Sequence, residues 1–288
     1  MSVISVKEAD LETTPCPLCN SSGHRPLYSF DAFRMVSCGQ CGLIYLNPRL
    51  KESVISSVYQ GDEYFLGHDN VGYQNYELQE KSLRLTFRRF LRELERRGMT
   101  SGRLLEIGSG YGYFLDEAKT YYAHISGIEL SQSAGSSAQR ISGGSVHIGT
   151  LGSMPGHWID FDIIVLFNVI EHIYNPVEFL LSAKPKLRRG GAIVLGTPDA
   201  GSFWFKILRK KWPSFKIPEH IALYSKETLS LLLQKTGFKN IREIPFGHAF
   251  PLGLIMSKLG VNISMNFGTI PIWIPHTIVA LSAVNEDG

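Results

Sequence analysis

Between residues 81 and 284, short apolar runs alternate with helical patterns. The runs 103–107, 124–130 and 161–168 are rich in aliphatic residues, which predicts buried strands. A helical pattern begins at Tyr113, soon after the first run. Alternation of this kind is typical of βαβ units and therefore of a mostly parallel α/β sheet.

Three glycines on alternate positions, Gly108, Gly110 and Gly112, join the first strand to its helix. Glycine lets the backbone adopt positive φ and lets a ligand approach where a Cβ would block it. The dinucleotide fingerprint G-x-G-x-x-G has its third glycine one position later, where this chain has Tyr113. The turn therefore predicts a ligand site of another kind. The alternative is an ordinary βαβ turn in which glycines only tighten the bend.

Two acids flank this turn. Glu106 precedes the glycines, and Glu129 stands at the end of the second strand, where α/β sheets present a carboxylate to ribose hydroxyls. Together these residues resemble the cofactor site of class I S-adenosylmethionine (SAM) methyltransferases, in which the first acid is associated with the methionine end and the second with the ribose. The resemblance implies SAM binding by Glu106, Gly108, Ser109, Gly110, Gly112, Glu129, Leu130 and Asn168.

Later segments extend the resemblance to residues 80–284. The strands beginning at 161 and 187 match the family's fourth and fifth strands, and 218–244 matches a late helix and strand, with a Ser225 N-cap and a Gly237 C-cap. The implied fold is α/β, a doubly wound, seven-stranded, mostly parallel Rossmann-like sheet. Its last strand is predicted at 276–284, antiparallel to its neighbours.

Four cysteines, all within the first 41 residues, form two C-x2-C pairs that are typical of a zinc ribbon. Four thiolates complete a tetrahedral shell, so we expect a structural Zn²⁺ without an open position. Two disulfides are the alternative. The expected ligands are Cys16, Cys19, Cys38 and Cys41.

The predicted organisation is a small zinc ribbon at 1–48, a connecting segment at 49–80 and a methyltransferase domain at 81–288. Insertions are expected at about 200–220 and 250–275. Within the connecting segment, Tyr59, Tyr64 and Phe65 are predicted either to close over SAM or to pack the ribbon against the main domain.

Two histidines lie where an acceptor could be deprotonated. His172 follows the fourth strand and His220 lies in a loop after the fifth, and histidine is well suited to act as a general base. His220 is the expected base, because a loop residue is free to meet the substrate. The alternative for both is a structural role; Asp199 and Tyr224 are secondary candidates. Ubiquinone-pathway O-methyltransferases, which resemble 168–172, carry Glu where this chain has Asn168, so no catalytic metal is expected.

Composition places few constraints on partners. The 288 residues carry a net charge of +3, which does not favour a polyanionic partner, and the N-terminus has no apolar signal core. The apolar run 270–284 is too short to span a membrane, so a cytoplasmic protein is expected. The basic helix 81–98 is interleaved with acids and is interpreted as a solvated face.

An N-terminal zinc ribbon followed by a Tyr-rich segment resembles bacterial methyltransferases of surface-polysaccharide and natural-product pathways. That resemblance implies a small-molecule or glycan-precursor acceptor, with oxygen as the expected acceptor atom. The alternative is an RNA-binding or RNA-modifying protein that uses its ribbon for recognition. The aromatic and basic stretch 202–216 predicts either a substrate lid or simple packing, and such a mixture is also compatible with transient membrane-surface contact.

Overall fold

The computed structural model describes residues 6–60, 76–258 and 265–287. The strands are β1 (Leu11–Glu12), β2 (His24–Phe30), β3 (Phe33–Cys38), β4 (Ile44–Leu46), β5 (Arg49–Leu50), β6 (Arg103–Ile107), β7 (His124–Glu129), β8 (Ser145–Ile148), β9 (Phe161–Phe167), β10 (Leu187–Pro198), β11 (Ala222–Leu223), β12 (Lys239–Glu243), β13 (His248–Pro251), β14 (Pro271–Ile274) and β15 (Ile278–Val284). The helices are α1 (Glu52–Gln60), α2 (Glu80–Arg96), α3 (Tyr113–Ala118), α4 (Gln132–Ser142), α5 (Pro176–Ala183), α6 (Phe203–Leu208), α7 (Lys226–Lys235), α8 (Leu252–Lys258) and α9 (Met265–Gly268).

The main sheet has seven strands in the order β12-β15-β10-β9-β6-β7-β8. The five strands from β10 to β8 run parallel, whereas β15 is antiparallel to both β10 and β12. This arrangement confirms the predicted doubly wound, mostly parallel sheet and the antiparallel direction of its last strand.

Burial on both faces explains the apolar sequence of the central strands. Six of the seven residues of β9 are buried, as parallel strands covered by helices require. One face is covered by α2, whose Phe87 and Phe90 pack around Phe167 with ring centroids 5.7 and 4.7 Å away. On the other face α7 contributes Leu229 and Leu232 to the core.

A second sheet at the N-terminus has four antiparallel strands in the order β11-β4-β3-β2. Its edge strand β11 comes from far along the chain, and Ala222 pairs with Tyr45. The backbone N–H of Leu46 also donates to the carbonyl of Ile221 over 2.9 Å. The N-terminal residues are therefore joined by strand pairing to the segment that follows His220.

The region predicted as an apolar insertion, 250–275, contains α8, α9, β14 and the second half of β13. These two strands form an antiparallel pair that packs on α2, where the backbone N–H of Ala249 donates to Thr86 Oγ1 over 2.9 Å. Arg89 lies over the Trp273 ring, 4.3 Å from its centroid. Within the described residues, no helix is long and apolar enough to span a membrane.

Candidate active site

A cavity of about 610 Å³ opens at the carboxyl ends of β6, β7, β8 and β9. Ligands of open α/β sheets bind at this edge, where strand order reverses. Seven of the eight residues predicted to bind the cofactor line it: Glu106, Gly108, Ser109, Gly110, Glu129, Leu130 and Asn168.

Glu106, in β6, is a buried acid at the floor of this cavity. Its Oε2, like Ser109 Oγ, is buried without a hydrogen-bond partner among the described residues. Burial, together with the charge of Glu129, holds the pKa of Glu106 well above its usual range. Because an unsatisfied buried polar atom is costly, these two atoms fit a cavity that receives a polar ligand.

Glu129 organises the turn itself. Its Oε2 accepts a hydrogen bond of 2.8 Å from the backbone N–H of Gly110, and its Oε1 accepts from Leu130 and Ser131 at 2.8 and 3.0 Å. Burial nevertheless raises the pKa of Glu129. The carboxylate thus ties the glycine turn after β6 to the end of β7, and it shapes the cavity wall between the two strands.

Gly112 is the predicted cofactor residue that lies outside the cavity lining. It is the N-cap of α3 with φ of 81°, and a Cβ there would lie 2.7 Å from the Cα of Ala138. Neither the conformation nor the space suits a side chain. The structure therefore gives this glycine a packing role, in which it lets the turn pass close to α4.

Several lining residues were not predicted from the sequence. Thr150 and Leu151 follow β8 and line the cavity beside Gly149, whose N–H donates to the carbonyl of Glu129 over 2.8 Å. Their position in the chain could have indicated them, because residues 145–148 form a parallel strand whose carboxyl end lies at the same edge of the sheet. Tyr76, which stacks on Tyr113 with ring centroids 5.6 Å apart, also lines the cavity.

A second group of polar residues lies just beyond β9. Asn168 has φ of 51°, and its N–H donates to the carbonyl of Gly196 over 2.8 Å. His172 lines the cavity, whereas Glu171 is fully buried and accepts a hydrogen bond of 2.9 Å from Thr197 Oγ1. Burial raises the pKa of Glu171 to about 7. The turn thus places a histidine at the wall with a carboxylate behind it.

His172 and His220 meet edge to face, with ring centroids 4.7 Å apart. The Nδ1–H of His172 donates to the carbonyl of Glu219 and that of His220 to the carbonyl of Ser214, over 3.0 and 2.9 Å. Burial lowers the pKa of His172 to about 3 and that of His220 well below its ordinary value. Both rings are therefore neutral at physiological pH.

The expectation that His220 is the more accessible of the two histidines is wrong. His220 is 4% exposed and does not line the cavity, whereas His172 does. The loop is buried because the strand after it, β11, is taken up by the N-terminal sheet. Two secondary candidates also lie away from the cavity lining, with Asp199 Oδ1 accepting from the N–H of Gly201 and Tyr224 fully buried.

Glu171, His172 and His220 each offer an atom of the kind that binds metals, and these atoms lie within 4.8 Å of one another. The ubiquinone-pathway motif has an acid where this chain has Asn168. The expectation that no catalytic metal is bound here therefore stays a prediction.

The N-terminal part of the chain supplies one wall of the cavity. Glu52, Ile55 and Ser56 of α1 line it. Arg49, next to this helix, lies over the ring of the lining residue Tyr174 at 4.3 Å. The segment 61–75, with Tyr64 and Phe65, lies outside the described residues, as does the side chain of Tyr59, so the predicted closure over SAM stays a prediction.

The cavity lining contains four carboxylates and no lysine or arginine among the described residues. The acids that line the cavity are Glu52, Glu106, Glu129 and Glu178.

The basic face of α2 is largely neutralised: Arg84 pairs with Asp116 and Glu117 at 2.7 and 2.8 Å, and Arg88 pairs with Glu117 at 2.7 Å. These ion pairs agree with the interpretation of this helix as a solvated face.

The four cysteines converge between the two knuckles. Cys16 and Cys41 place their sulfurs 3.6 Å apart, Cys19 and Cys38 theirs 3.4 Å apart, and all four lie within 4.8 Å of one another as free thiols. In each knuckle the carbonyl of the first cysteine accepts from the N–H four residues later, over 2.8 and 3.1 Å. A zinc ion with Zn–S bonds of about 2.3 Å requires sulfurs about 3.8 Å apart, which this cluster approaches.

The stretch 202–216 does not touch the cavity. No described residue of it belongs to the lining, and Phe205 and Phe215 instead pack against Tyr28 of the N-terminal sheet, with ring centroids 6.5 and 5.4 Å from it. These contacts fit the packing alternative rather than a lid.

Comparison with known proteins supports the interpretation of the cavity. The model of a family described as "Methyltransferase domain" matches residues 76–243, which is more than half of the chain. The chain belongs to this family. It is an enzyme, a SAM-dependent methyltransferase, with the seven-stranded fold of that class.

Relatives of this methyltransferase are recognisable by sequence. An uncharacterized protein from Methanocaldococcus jannaschii is 32% identical over 52% of the chain and 71% of the relative. A probable S-adenosylmethionine-dependent methyltransferase from Mycolicibacterium smegmatis is 27% identical over 35% of the chain, and a ubiquinone biosynthesis O-methyltransferase from Aromatoleum aromaticum is 28% identical over the same share. The chain spans 39% and 45% of the latter two relatives' own lengths.

Solved structures share the fold at lower identity. A SAM-dependent methyltransferase from Thermotoga maritima, described as a possible histamine N-methyltransferase, aligns with a TM-score of 0.53 at 22% identity, over 74% of this chain and 94% of its own. Magnesium protoporphyrin IX methyltransferase from Synechocystis with bound S-adenosylhomocysteine aligns with a TM-score of 0.54 at 12% identity, over 81% and 99%. At these identities the likeness concerns the fold alone.

Proposed function

We propose that this methyltransferase transfers the methyl group of SAM to a hydroxyl oxygen of a small molecule or a glycan or natural-product precursor. The observation that carries the proposal is the position of His172, whose imidazole lies in the wall of the same cavity that Glu106, Glu129 and the glycine turn line. A hydroxyl acceptor must lose its proton as the methyl group arrives, and a neutral histidine can accept it.

Glu106, Ser109, Gly110, Glu129 and Asn168 would hold SAM. The two buried polar atoms without described partners, Glu106 Oε2 and Ser109 Oγ, support this assignment. When bound, SAM supplies an activated methyl group on a sulfonium, so the protein's part is to bind, to orient the acceptor and to exclude water.

In this proposal His172 is the base. Its Nδ1–H is held by the carbonyl of Glu219, which places the ring's lone pair on Nε2. His220 and Glu171 are positioning residues: His220 packs against the ring of His172, and the carboxylate of Glu171 lies close to both rings.

The charge of the lining favours an acceptor without phosphate or carboxylate groups at its reacting end. The described lining has no lysine or arginine, and residues 61–75 contain neither in the sequence. An anion at the reacting end would find no cationic side chain in this lining to pair with. A neutral sugar or other polyol fits better.

The four converging cysteines are assigned to a structural Zn²⁺. The spacing of their sulfurs supports a tetrahedral site, and four protein ligands leave no position for water or substrate. The metal would hold together the N-terminal sheet, and the chain after this sheet continues into α1, which lines the cavity.

The direct test is an activity screen with labelled SAM against neutral glycosides, nucleotide-linked sugars and phenolic or polyketide alcohols. The proposal expects label in an O-methyl ether of an acceptor that is neutral at its reacting end, with transfer reduced in His172→Ala. Label found only in N-methyl or C-methyl products, or transfer equally fast in His172→Ala, would overturn it.

A further inference from the structure

The helix α6 and the turn after it have an unusual solvent-facing side. Phe203 and Ile207, one helical turn apart, are 64% and 57% exposed. Solvent contact of two large apolar side chains on one face costs free energy, and in a soluble protein such a patch marks a surface that binds something.

The exposure does not result from loose packing of the helix. Its other side carries Trp204, whose Nε1–H donates to the carbonyl of Pro275 over 2.9 Å, and Phe205, whose ring meets that of Trp212 at 5.1 Å. The Ser202 side chain caps the helix by accepting from the N–H of Phe205. The helix is thus held in place from within while it presents Phe203 and Ile207 outward.

Cations surround the two apolar side chains. Lys206, Arg209, Lys210 and Lys211 are exposed, and none forms an ion pair with a carboxylate in the part of the chain that the structure describes. By contrast, Arg84 and Arg88 of α2 are each paired with a carboxylate. A cluster of four unneutralised cations within six residues therefore has complementarity only to an anionic partner.

A neighbouring segment adds to the apolar surface. The Trp204 hydrogen bond places α6 beside the turn after β14, and this strand and the chain before it expose further apolar side chains. They are Phe267, Ile270 and Ile272, which are 63%, 41% and 37% exposed.

We propose that this surface, residues 203–211 with 267–272, docks the methyltransferase on a bilayer that contains anionic phospholipid. Aromatic and aliphatic side chains flanked by lysine and arginine match the boundary between acyl chains and anionic headgroups. RNA would use the cations and could stack a base on Phe203, but it would leave the aliphatic Ile207 exposed. A second copy would bring four like cations face to face. The bilayer is the partner that satisfies both kinds of side chain.

The test is co-sedimentation of the full chain with vesicles of phosphatidylcholine alone or mixed with phosphatidylglycerol. The wild type is expected to bind the anionic vesicles and not the neutral ones, and to lose binding as salt rises. Two variants are each expected to weaken binding at least tenfold. One is the double change Phe203→Ser with Ile207→Ser, and the other is the triple change Lys206→Gln, Lys210→Gln and Lys211→Gln.

Matched control variants distinguish binding through this surface from nonspecific binding to vesicles. Leu181→Ser removes another exposed apolar side chain, 49% exposed, and the triple change of Lys81, Lys235 and Lys239 to Gln alters net charge equally. Both controls should bind vesicles as the wild type does, and all variants should retain SAM affinity, which shows that they fold.

Three results would overturn the inference. One is equal vesicle binding by wild type and both surface variants, or no vesicle binding at all. Another is self-association in ultracentrifugation that the Phe203 and Ile207 changes abolish, which would make the surface an interface between copies. The third is salt-dependent RNA binding that the lysine changes reduce and the Phe203 and Ile207 changes leave intact.

Discussion

Glu171 is a buried acid whose environment opposes its charge near neutral pH. It is fully buried, with one oxygen bonded to Thr197 and the other without a hydrogen-bond partner among the described residues. Burial raises its pKa from an ordinary 4.5 to about 7. Between pH 4.5 and about 7, the folded protein therefore keeps a proton on Glu171 that the unfolded chain has released.

This difference in proton binding sets the pH dependence of stability. A carboxyl whose pKa is raised on folding contributes stability below its unfolded pKa, and that contribution is lost as pH rises to the folded pKa near 7. Glu171→Gln keeps an oxygen for Thr197 and cannot ionise. Between pH 5.5 and 8.5 the free energy of unfolding of wild type should fall by about 2 kcal/mol relative to this variant. Urea unfolding at both pH values measures it, and a gap that does not change with pH would contradict the account.

The two histidines should differ in catalysis. If His172 accepts the acceptor's proton, His172→Ala should lower kcat by about 10²- to 10⁴-fold with SAM affinity retained. His220→Ala removes only the ring behind it and should cost less. Turnover against pH at saturating SAM tests both variants once an acceptor is known. A larger loss in His220→Ala than in His172→Ala would reverse the roles assigned here.

Sequence reasoning succeeded for residues whose position depends on local order and failed where burial depends on distant contacts. Glu106 and Glu129 lie at strand ends that the apolar runs define, and the structure brings both to one cavity. The accessibility of His220 was misjudged because the pairing of Ala222 with Tyr45 joins residues far apart in the chain. Nothing in the local pattern around 220 indicates that pairing.

Among the elements, the turn between β6 and α3 is the most constrained. Gly112 has φ of 81°, and a Cβ would lie 2.7 Å from the Cα of Ala138. Gly143 has φ of 70° and open space around it, so it isolates the conformational cost. Gly143→Ala should destabilise by about 1 to 2 kcal/mol. Gly112→Ala should cost about 1 to 3 kcal/mol more, because the clash adds to the strain.

Chemical denaturation of the two alanine variants gives this comparison directly. Equal losses of unfolding free energy would show that the turn can move away from α4, and the packing role of Gly112 would be wrong.

The strands of the main sheet were predictable because buried parallel strands are short, continuous apolar runs bounded by turns. The N-terminal sheet was not. The cysteine spacing predicts a metal site in this part of the chain. It does not predict that the fourth strand of the sheet, β11, comes from the catalytic part of the chain. The predicted boundary at residue 48 therefore separates two parts of the chain that contribute strands to one sheet.

At the scale of the whole molecule, this shared sheet links the cysteine cluster to the acceptor cavity. Metal analysis after dialysis should find about one zinc per chain, and Cys38→Ser should lose it and unfold more easily. Because β4 holds the strand after His220, that variant should lose acceptor turnover more than SAM affinity. Ser22→Ala, between the knuckles, should retain both metal and activity. Zinc-free wild-type protein of undiminished stability would overturn the metal assignment.

The cavity at the carboxyl edge of the main sheet is the expected SAM site. Calorimetry of SAM with wild type, Glu129→Ala and the exposed-acid control Glu95→Ala tests it most directly. We expect one SAM per chain and wild-type affinity in the control. In Glu129→Ala we expect a loss of about 1 to 3 kcal/mol, or roughly five- to 150-fold, because the carboxylate both shapes the turn and meets the ligand. Unchanged affinity in Glu129→Ala would place the cofactor elsewhere and contradict the account.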